Sequence, residues 1–275
     1  MTYRLTATRG LIVGGLSLVA ICALWPLLFM VVSSLKTNAD YVANPFGLPQ
    51  ALTTKNFLAM LTRFNIARLF ANTIVYCMGA WLIAMAASIP AAFAVAKLQF
   101  PLRSLFFSWI VVTLAIPVVA YLIPLYTLLA KLSLIDSPAG MMLVWGGSAV
   151  PGNIFLLSAV MRGLPSELLE AAQVDGAGYF RTMFSLVLPL SIPAIVTLTI
   201  FNVTAWWNDL LIPLVFLSSA DKSTVTLGVS QILSSYSSDT PLFMTGLLFA
   251  ALPVTILYLI FQRHIRSGLV MGSVK

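Results

Sequence analysis

Charge is what this chain has least of. Only 8% of its 275 residues are Asp, Glu, Lys or Arg, against about a quarter in soluble domains. That shortage, with 60% hydrophobic residues and a mean hydropathy of +1.00, excludes a water-soluble globular protein and points to an integral membrane protein. There are two cysteines, Cys22 and Cys77, both inside apolar runs, so a disulfide scaffold is excluded and small packing residues are expected. A single histidine, His264, cannot build a typical metal site or a catalytic triad, and it reads as solvated or headgroup-facing in a basic tail. No GxxxxGK[ST] run occurs, so the chain is not a P-loop nucleotide binder. Paired carboxylates are absent from the apolar runs, which leaves a membrane enzyme without its chemistry. The net charge of +7 does not mark a nucleic-acid protein, because the basic residues are scattered at the ends of apolar segments and form no patch.

What is there is a set of long apolar runs. Residues 11–35, 69–96, 104–130, 139–160, 187–217 and 241–261 read as six transmembrane helices. The first is too long for the core of a signal peptide and lacks a small-x-small cleavage site, so it is expected to stay uncleaved. Gly10 and Gly14 match a GxxxG close-packing pattern, for which ordinary packing is the safer reading. Pro90 is expected to kink the second span, Pro117 and Pro124 the third, while Gly146, Gly147, Pro151 and Gly152 loosen the fourth. Between spans, 36–68 is polar and broken by Pro45, Gly47 and Pro49, with a short amphipathic helix expected over 53–64. Residues 218–240 are polar and serine-rich.

Residues 164–189, LPSELLEAAQVDGAGYFRTMFSLVLP, hold three of the eight acidic residues and interrupt the apolar middle. Pro165 suits a first helical turn, Ser166 can cap it, and Glu167 and Glu170 lie where the helix dipole favours acids. Gly176 after Asp175 is a left-handed stop. The expected helix of about ten residues is roughly 15 Å long. Leu168, Ala171, Ala172 and Asp175 fall on one side of it, a low face that lets a partner's backbone approach. A second helix begins at Tyr179 and leads back into the membrane.

Glu170-Ala171-Ala172, Gly176 four residues on, and Leu186-Val187-Leu188-Pro189 resemble the loop signature of the permease subunits of binding-protein-dependent ABC importers, with Leu186 where isoleucine is usual. The resemblance implies an all-α membrane protein with the six-helix, type I ABC importer permease fold. It implies one transmembrane permease domain over 1–275, with 164–189 as its cytoplasmic coupling loop. Glu167, Glu170, Ala171, Ala172, Asp175 and Gly176 would then dock into a cleft on a cytoplasmic ATPase. The implied partners are a second, similar permease, two copies of the ABC ATPase, an extracytoplasmic solute-binding protein and membrane lipid, with no nucleic acid. The chain itself would be non-catalytic and carry no cofactor, ATP and Mg being held by the ATPase.

Ser33-Ser34-Leu35-Lys36-Thr37, followed by Thr54-Lys55-Asn56-Phe57, is similar to the segment after the first helix in the carbohydrate branch of these permeases. Trp207-Asn208-Asp209 and Pro213 are similar to the sugar-type pattern of the fifth span. Asn153, Asn202, Trp206, Trp207, Asn208 and Asp209 are therefore candidates for the substrate pathway, since polar groups in a bilayer are costly and face a pathway or a partner. Two alternatives stand beside that reading: an interfacial tryptophan belt with a solvated or capping Asp209, and asparagines that satisfy broken backbone. The branch favours a sugar or a glycerol-phosphate derivative. The lack of a mid-membrane arginine favours the neutral sugar.

Six spans put both termini on one side. With the termini cytoplasmic, Arg4, Arg9, Lys97, Arg103, Arg162, Arg181, Arg263, Arg266 and Lys275 lie inside, and Lys36, Lys55, Arg63, Arg68, Lys131 and Lys222 outside. That modest bias and the loop resemblance favour a bacterial plasma-membrane protein with cytoplasmic termini. The competing class is a stand-alone secondary transporter using Asp209 for proton coupling.

Overall fold

The computed structural model describes residues 2–235 and 239–271. The side chains of 2–8, 10, 11, 233, 235 and 262–271 lie outside that description, and with them those of Arg4, Arg263, His264 and Arg266; Lys275 lies outside it altogether. The described residues form helices and connecting turns. In chain order the helices are α1 (Thr2–Ser34), α2 (Asn38–Ala43), α3 (Lys55–Thr62), α4 (Ile66–Lys97), α5 (Arg103–Leu114), α6 (Val118–Lys131), α7 (Pro138–Arg162), α8 (Ser166–Val174), α9 (Tyr179–Thr182), α10 (Leu188–Asn208), α11 (Leu211–Phe216), α12 (Val225–Ser235) and α13 (Thr240–Met271). A π-helical turn, Met183–Val187, joins α9 to α10. Among the described residues, five helical stretches are long and apolar enough to cross a membrane: Ile12–Ser34, Ile66–Lys97, Pro138–Arg162, Tyr179–Asn208 and Thr240–Phe261.

The third expected span is two helices. α5 and α6 meet at an angle of 100°, and they supply the sixth crossing if the bent pair is counted as one. Proline chemistry accounts for the break. Pro117 has no N–H to give back to the preceding turn and pushes Ile116 out of the helical region. It sits at φ −67°, ψ 143° as the residue capping α6. Pro124, inside α6, leaves that helix continuous. The fifth expected span is also displaced: it starts at Tyr179 and ends at Asn208, because Asp209 is extended and a separate short helix follows. The serine-rich 218–240 segment hides a helix, α12, whose Val225, Leu227, Val229 and Ile232 are buried.

The chain divides into two compact units. The first comprises Met1–Ala67 and Gly228–Pro253. In it the segment after α1 is tied by several hydrogen bonds. Lys36 is fully buried and donates from Nζ to the carbonyls of Asn44 (2.7 Å) and Pro45 (3.1 Å). Asn56 donates from Nδ2 to the carbonyls of Ser34 and Lys36, both at 2.9 Å. The two pieces that carry the carbohydrate-branch resemblance are thus tied directly to each other. Lys36, one of the charges assigned to the outside loop, is buried and held by the Asn44 and Pro45 carbonyls.

The second unit comprises Arg68–Leu227 and Val254–Lys275. Its core has two layers. One gathers Tyr76, Ala80, Trp145, Trp206, Phe216 and Leu227; the other gathers Phe93, Leu157, Met161, Met183, Val187 and Leu198. α4 and α7 approach closely at Gly146, where an added Cβ would lie 2.8 Å from the Ala80 carbonyl. Gly146 is therefore a packing contact, not a point where the fourth span loosens.

Candidate functional site

The 164–189 loop is built by helix-end chemistry. α7 runs out at Arg162, and Pro165 (φ −56°, ψ 136°) turns the chain into α8. Ser166 is already the first helical residue and makes no capping bond, so Pro165 holds the position that the sequence assigns to Ser166. Glu167 lies in the first turn, against the positive end of the helix dipole. At the other end, Gly176 adopts φ +76°, the Gly176 amide donates to Gln173 O at 3.0 Å, and the Ala177 amide to Ala172 O at 2.9 Å. This pair of bonds is the Schellman closure, which needs a residue that tolerates the left-handed region.

α8 shows an acidic, partly apolar surface to solvent. Glu167, Leu168, Glu170, Ala171, Val174 and Asp175 are exposed, Val174 at 88%. Ala172 is half-buried and Leu169 packs toward the second core layer, so of the low face expected from sequence Ala172 turns inward while Leu168, Ala171 and Asp175 remain outside. The carboxylates of Glu170 and Asp175 form no hydrogen bond or ion pair with any described residue. Tyr179, Phe180 and Phe184 extend the exposed apolar surface beyond the turn.

Two devices fix this loop to the bundle. Lys97, the last residue of α4, donates from Nζ to the Leu164 carbonyl at 2.6 Å, and Glu167 lies close enough to interact with it electrostatically. Between them the end of α4 and α8 enclose a cleft of about 350 Å³ lined by Phe93, Lys97, Leu169, Gln173 and Tyr179. The second device is the π turn. Pro189 cannot donate to Ser185, and its ring crowds that carbonyl. The ladder widens there, with the Leu188 amide reaching Met183 O, five residues back. α8, α9 and α10 thus join through short turns.

The candidate pathway residues fall in two places. Asn202 Nδ2 donates to Asn153 Oδ1 at 3.0 Å across α10 and α7. Asn153 is 1% exposed, and its own Nδ2 has no partner among the described residues. Toward the far end of α10, Trp206 and Trp207 are buried. Trp206 stacks on Trp145 (centroids 6.3 Å apart, 13° between planes), and Trp207 packs beside Phe70 at 5.6 Å. Asn208 is exposed and donates to Thr204 O in its own helix. Asp209 accepts from Trp145 Nε1 at 2.8 Å and from the Ile212 amide at 3.2 Å, capping α11. Its two oxygens are thereby both engaged.

Residues that sequence reasoning passed over complete the picture. Asp136, in the α6–α7 loop, accepts from the Ser218 and Ser219 amides, each at 3.0 Å, from Ser219 Oγ, and from Lys222 Nζ at 3.0 Å. These bonds, the Ser219 hydroxyl foremost, hold its carboxyl well below the usual carboxylate range. Arg68 and Asp221 pair at 3.1 Å nearby, and Tyr76 donates its hydroxyl to Lys222 O. The end of the second unit opposite α8 is thus a polar clamp between loops far apart in sequence, which no local motif announces. Among the described residues no three His, Cys, Asp or Glu side chains gather where a metal ion would be held.

Several helices long and apolar enough to cross a membrane, with an exposed acidic helix between two of them, define a multi-pass membrane protein. Residues 84–270 match the model of the family described as the binding-protein-dependent transport system inner membrane component. A putative ABC transporter permease protein of Caldicellulosiruptor sp. is 35% identical over 251 residues, covering 91% of each chain. The diacetylchitobiose uptake system permease protein NgcG of Streptomyces coelicolor is 30% identical over 250 residues, covering 90% of this chain and 83% of its own. Among solved structures, a chain of a bacterial ABC transporter involved in the import of the acidic polysaccharide alginate superposes with a TM-score of 0.82 at 21% identity, over 94% of this chain and 96% of its own. The chain belongs to the binding-protein-dependent transport system inner membrane component family. It is a non-catalytic, multi-pass permease subunit of an ABC importer.

Proposed function

We propose that this permease forms half of a sugar-import pathway in a bacterial plasma membrane and receives its driving motion through α8. The observation that carries the reading is the geometry of that helix: exposed unpaired acids, a Schellman stop at Gly176, and a Lys97 bond that ties its approach to α4. In this reading both termini are cytoplasmic, and each of two ATPase copies, holding ATP and Mg, serves one permease of a pair. α8 of this chain seats in the cleft of its ATPase. Glu170 makes a polar contact there, the Ala171 side allows close approach, and closure of the ATPase pair swings α8 as a rigid piece. α7 and α10 follow, and the pathway opens toward a docked solute-binding protein.

The sugar class rests on likeness. The relatives include permeases named for diacetylchitobiose and, in Halalkalibacterium halodurans, for arabinooligosaccharides (29% identical over 265 residues). A solved structural neighbour is a complex with a periplasmic protein bound to an alginate pentasaccharide. The Asn153–Asn202 pair supplies amides suited to hydroxyls, and no arginine lies mid-span to select a phosphate. The test is a mild-detergent pull-down of the tagged chain from its native membrane, followed by a ligand screen of the recovered binding protein. Recovery of an ATPase, a second permease and a sugar-binding protein is expected. Recovery of the chain alone, under conditions that hold known transporters together, would overturn the assembly.

A further inference from the structure

A second cleft lies at the same end of the second unit as α8, between the end of α4, the start of α5 and the end of α7. Its volume is about 570 Å³, and Phe100, Leu102, Arg103, Ser104, Phe107 and Arg162 line it. Two guanidinium groups share this space. Arg103 donates from Nε to Val95 O at 2.8 Å and from Nη2 to Ala96 O at 3.2 Å, which fixes its plane and leaves Nη1 without a partner. Arg162 lies over the Phe107 ring, 4.4 Å from its centroid, and Phe107 in turn stacks on Phe155 at 6.2 Å. Among the described residues neither arginine meets a carboxylate, and no acidic side chain lines the cleft. Two oriented, uncompensated cations on an apolar floor are an anion site that the chain leaves unsatisfied.

The surroundings say which anion. From the cleft, α5 carries an exposed apolar stripe, Leu105, Phe106, Trp109 and Val112, at the spacing of one helix face. Phe106 is continuous with the cleft wall through its edge contact with Phe100 at 6.5 Å. Leu102, at the lip, is also exposed. A free anion would leave that stripe unused. A ligand with a phosphate head and long acyl chains uses both parts at once. We propose that the Arg103–Arg162 cleft binds the headgroup of an anionic phospholipid of the phosphatidylglycerol class, whose chains lie along α5. The charge is read by the guanidinium groups, and the site is held open by the Phe107–Phe155 stack beneath Arg162. Basic pockets between membrane helices bind anionic headgroups, and a Lys or Arg near an anionic lipid surface contributes about fivefold in affinity.

The test is native mass spectrometry of the assembled transporter, delipidated and titrated with dioleoyl phosphatidylglycerol, dioleoyl phosphatidylcholine or inorganic phosphate. The wild-type complex is expected to bind phosphatidylglycerol at least tenfold more tightly than phosphatidylcholine. Arg162→Gln should weaken that preference about fivefold. Arg162→Lys, which keeps the charge, should retain most of it. Arg181→Gln, a cation of the same loop region that does not line the cleft, should leave it unchanged. Equal binding of the two lipids would overturn the proposal, as would an undiminished preference in Arg162→Gln. Displacement of the bound lipid by millimolar phosphate would assign the cleft to a free anion. If Arg162→Gln fails to assemble, the lipid comparison on the wild type and the Arg162→Lys variant still decide.

Discussion

Trp145 is 1% exposed, and its indole N–H goes to Asp209 at 2.8 Å. A buried donor deprived of its acceptor costs about 1–3 kcal/mol, so Asp209→Ala should lower the thermal unfolding midpoint of the purified complex, with Asp209→Asn losing less because it keeps one acceptor oxygen. If Asp209→Ala abolished transport while that midpoint stayed at its wild-type value, Asp209 would act in the pathway and not in the packing. Asp136, in the clamp between the loops, contributes through its charge. Its ionised form is favoured by folding, because Ser218, Ser219 and Lys222 all donate to it. The sign follows: its contribution is complete above the ordinary carboxylate pKa near 4 and drains away as pH falls from there toward the depressed folded value. Asp136→Asn should cost about 2 kcal/mol at pH 7. The gap between variant and wild type in thermal unfolding should hold steady above about pH 5 and narrow as pH falls from about 4 toward about 2. A constant gap across that range would mean that charge is not what Asp136 contributes.

At the scale of the element, α8 depends on one backbone geometry. Gly176 at φ +76° has open space where a Cβ would go, so a side chain there is opposed by the backbone conformation and not by a neighbour. Valine is the most direct challenge, a β-branched residue in the left-handed region, at a cost of about 1–2 kcal/mol. Gly176→Val should leave the protein inserted and the complex assembled, yet reduce transport per ATP hydrolysed by roughly tenfold, since a shift of about one ångström in a docking element can cost that much or more. Normal transport with normal ATPase stimulation in Gly176→Val would remove α8 from the coupling role. This element was also the most legible in the sequence. Its stop, its acids and its length are all local, written within a dozen residues by capping and dipole rules. Its inward tilt was not, because which of Ala171 and Ala172 faces the body depends on Leu169 meeting the second core layer. The 100° break between α5 and α6 was half legible: Pro117 announced a disturbance, but a kink and a full separation look alike from one proline. α12 was illegible for the opposite reason, its four buried apolar residues being diluted by serines that composition assigns to a loop.

At the scale of the whole molecule, what sequence pattern could not reach is the set of long-range ties: Lys97 to Leu164, Trp145 to Asp209, and Asp136 to Lys222 across 86 residues. Each joins segments whose local sequences give no sign of the other. Hydrophobic runs fix which stretches lie in the membrane. They do not fix which loop is bolted to which helix, and in a transporter the bolts decide what moves together. The 164–189 loop is held at its start by the Lys97 bond and further on by the Gly176 closure and the π turn before Pro189. Held at both ends, it should act as one rigid lever, so that loosening either end loses the motion. Lys97→Met removes the first tie and Gly176→Val strains the second. The two should combine sub-additively, the double variant transporting no less solute per ATP than the poorer single variant, because a lever already slack at one end has little further to lose. The measurement is solute transported per ATP hydrolysed in reconstituted vesicles for wild type, both single variants and the double. Full additivity of the logarithmic losses would mean that α4 and α10 receive the motion along separate routes, and that the loop is not one body.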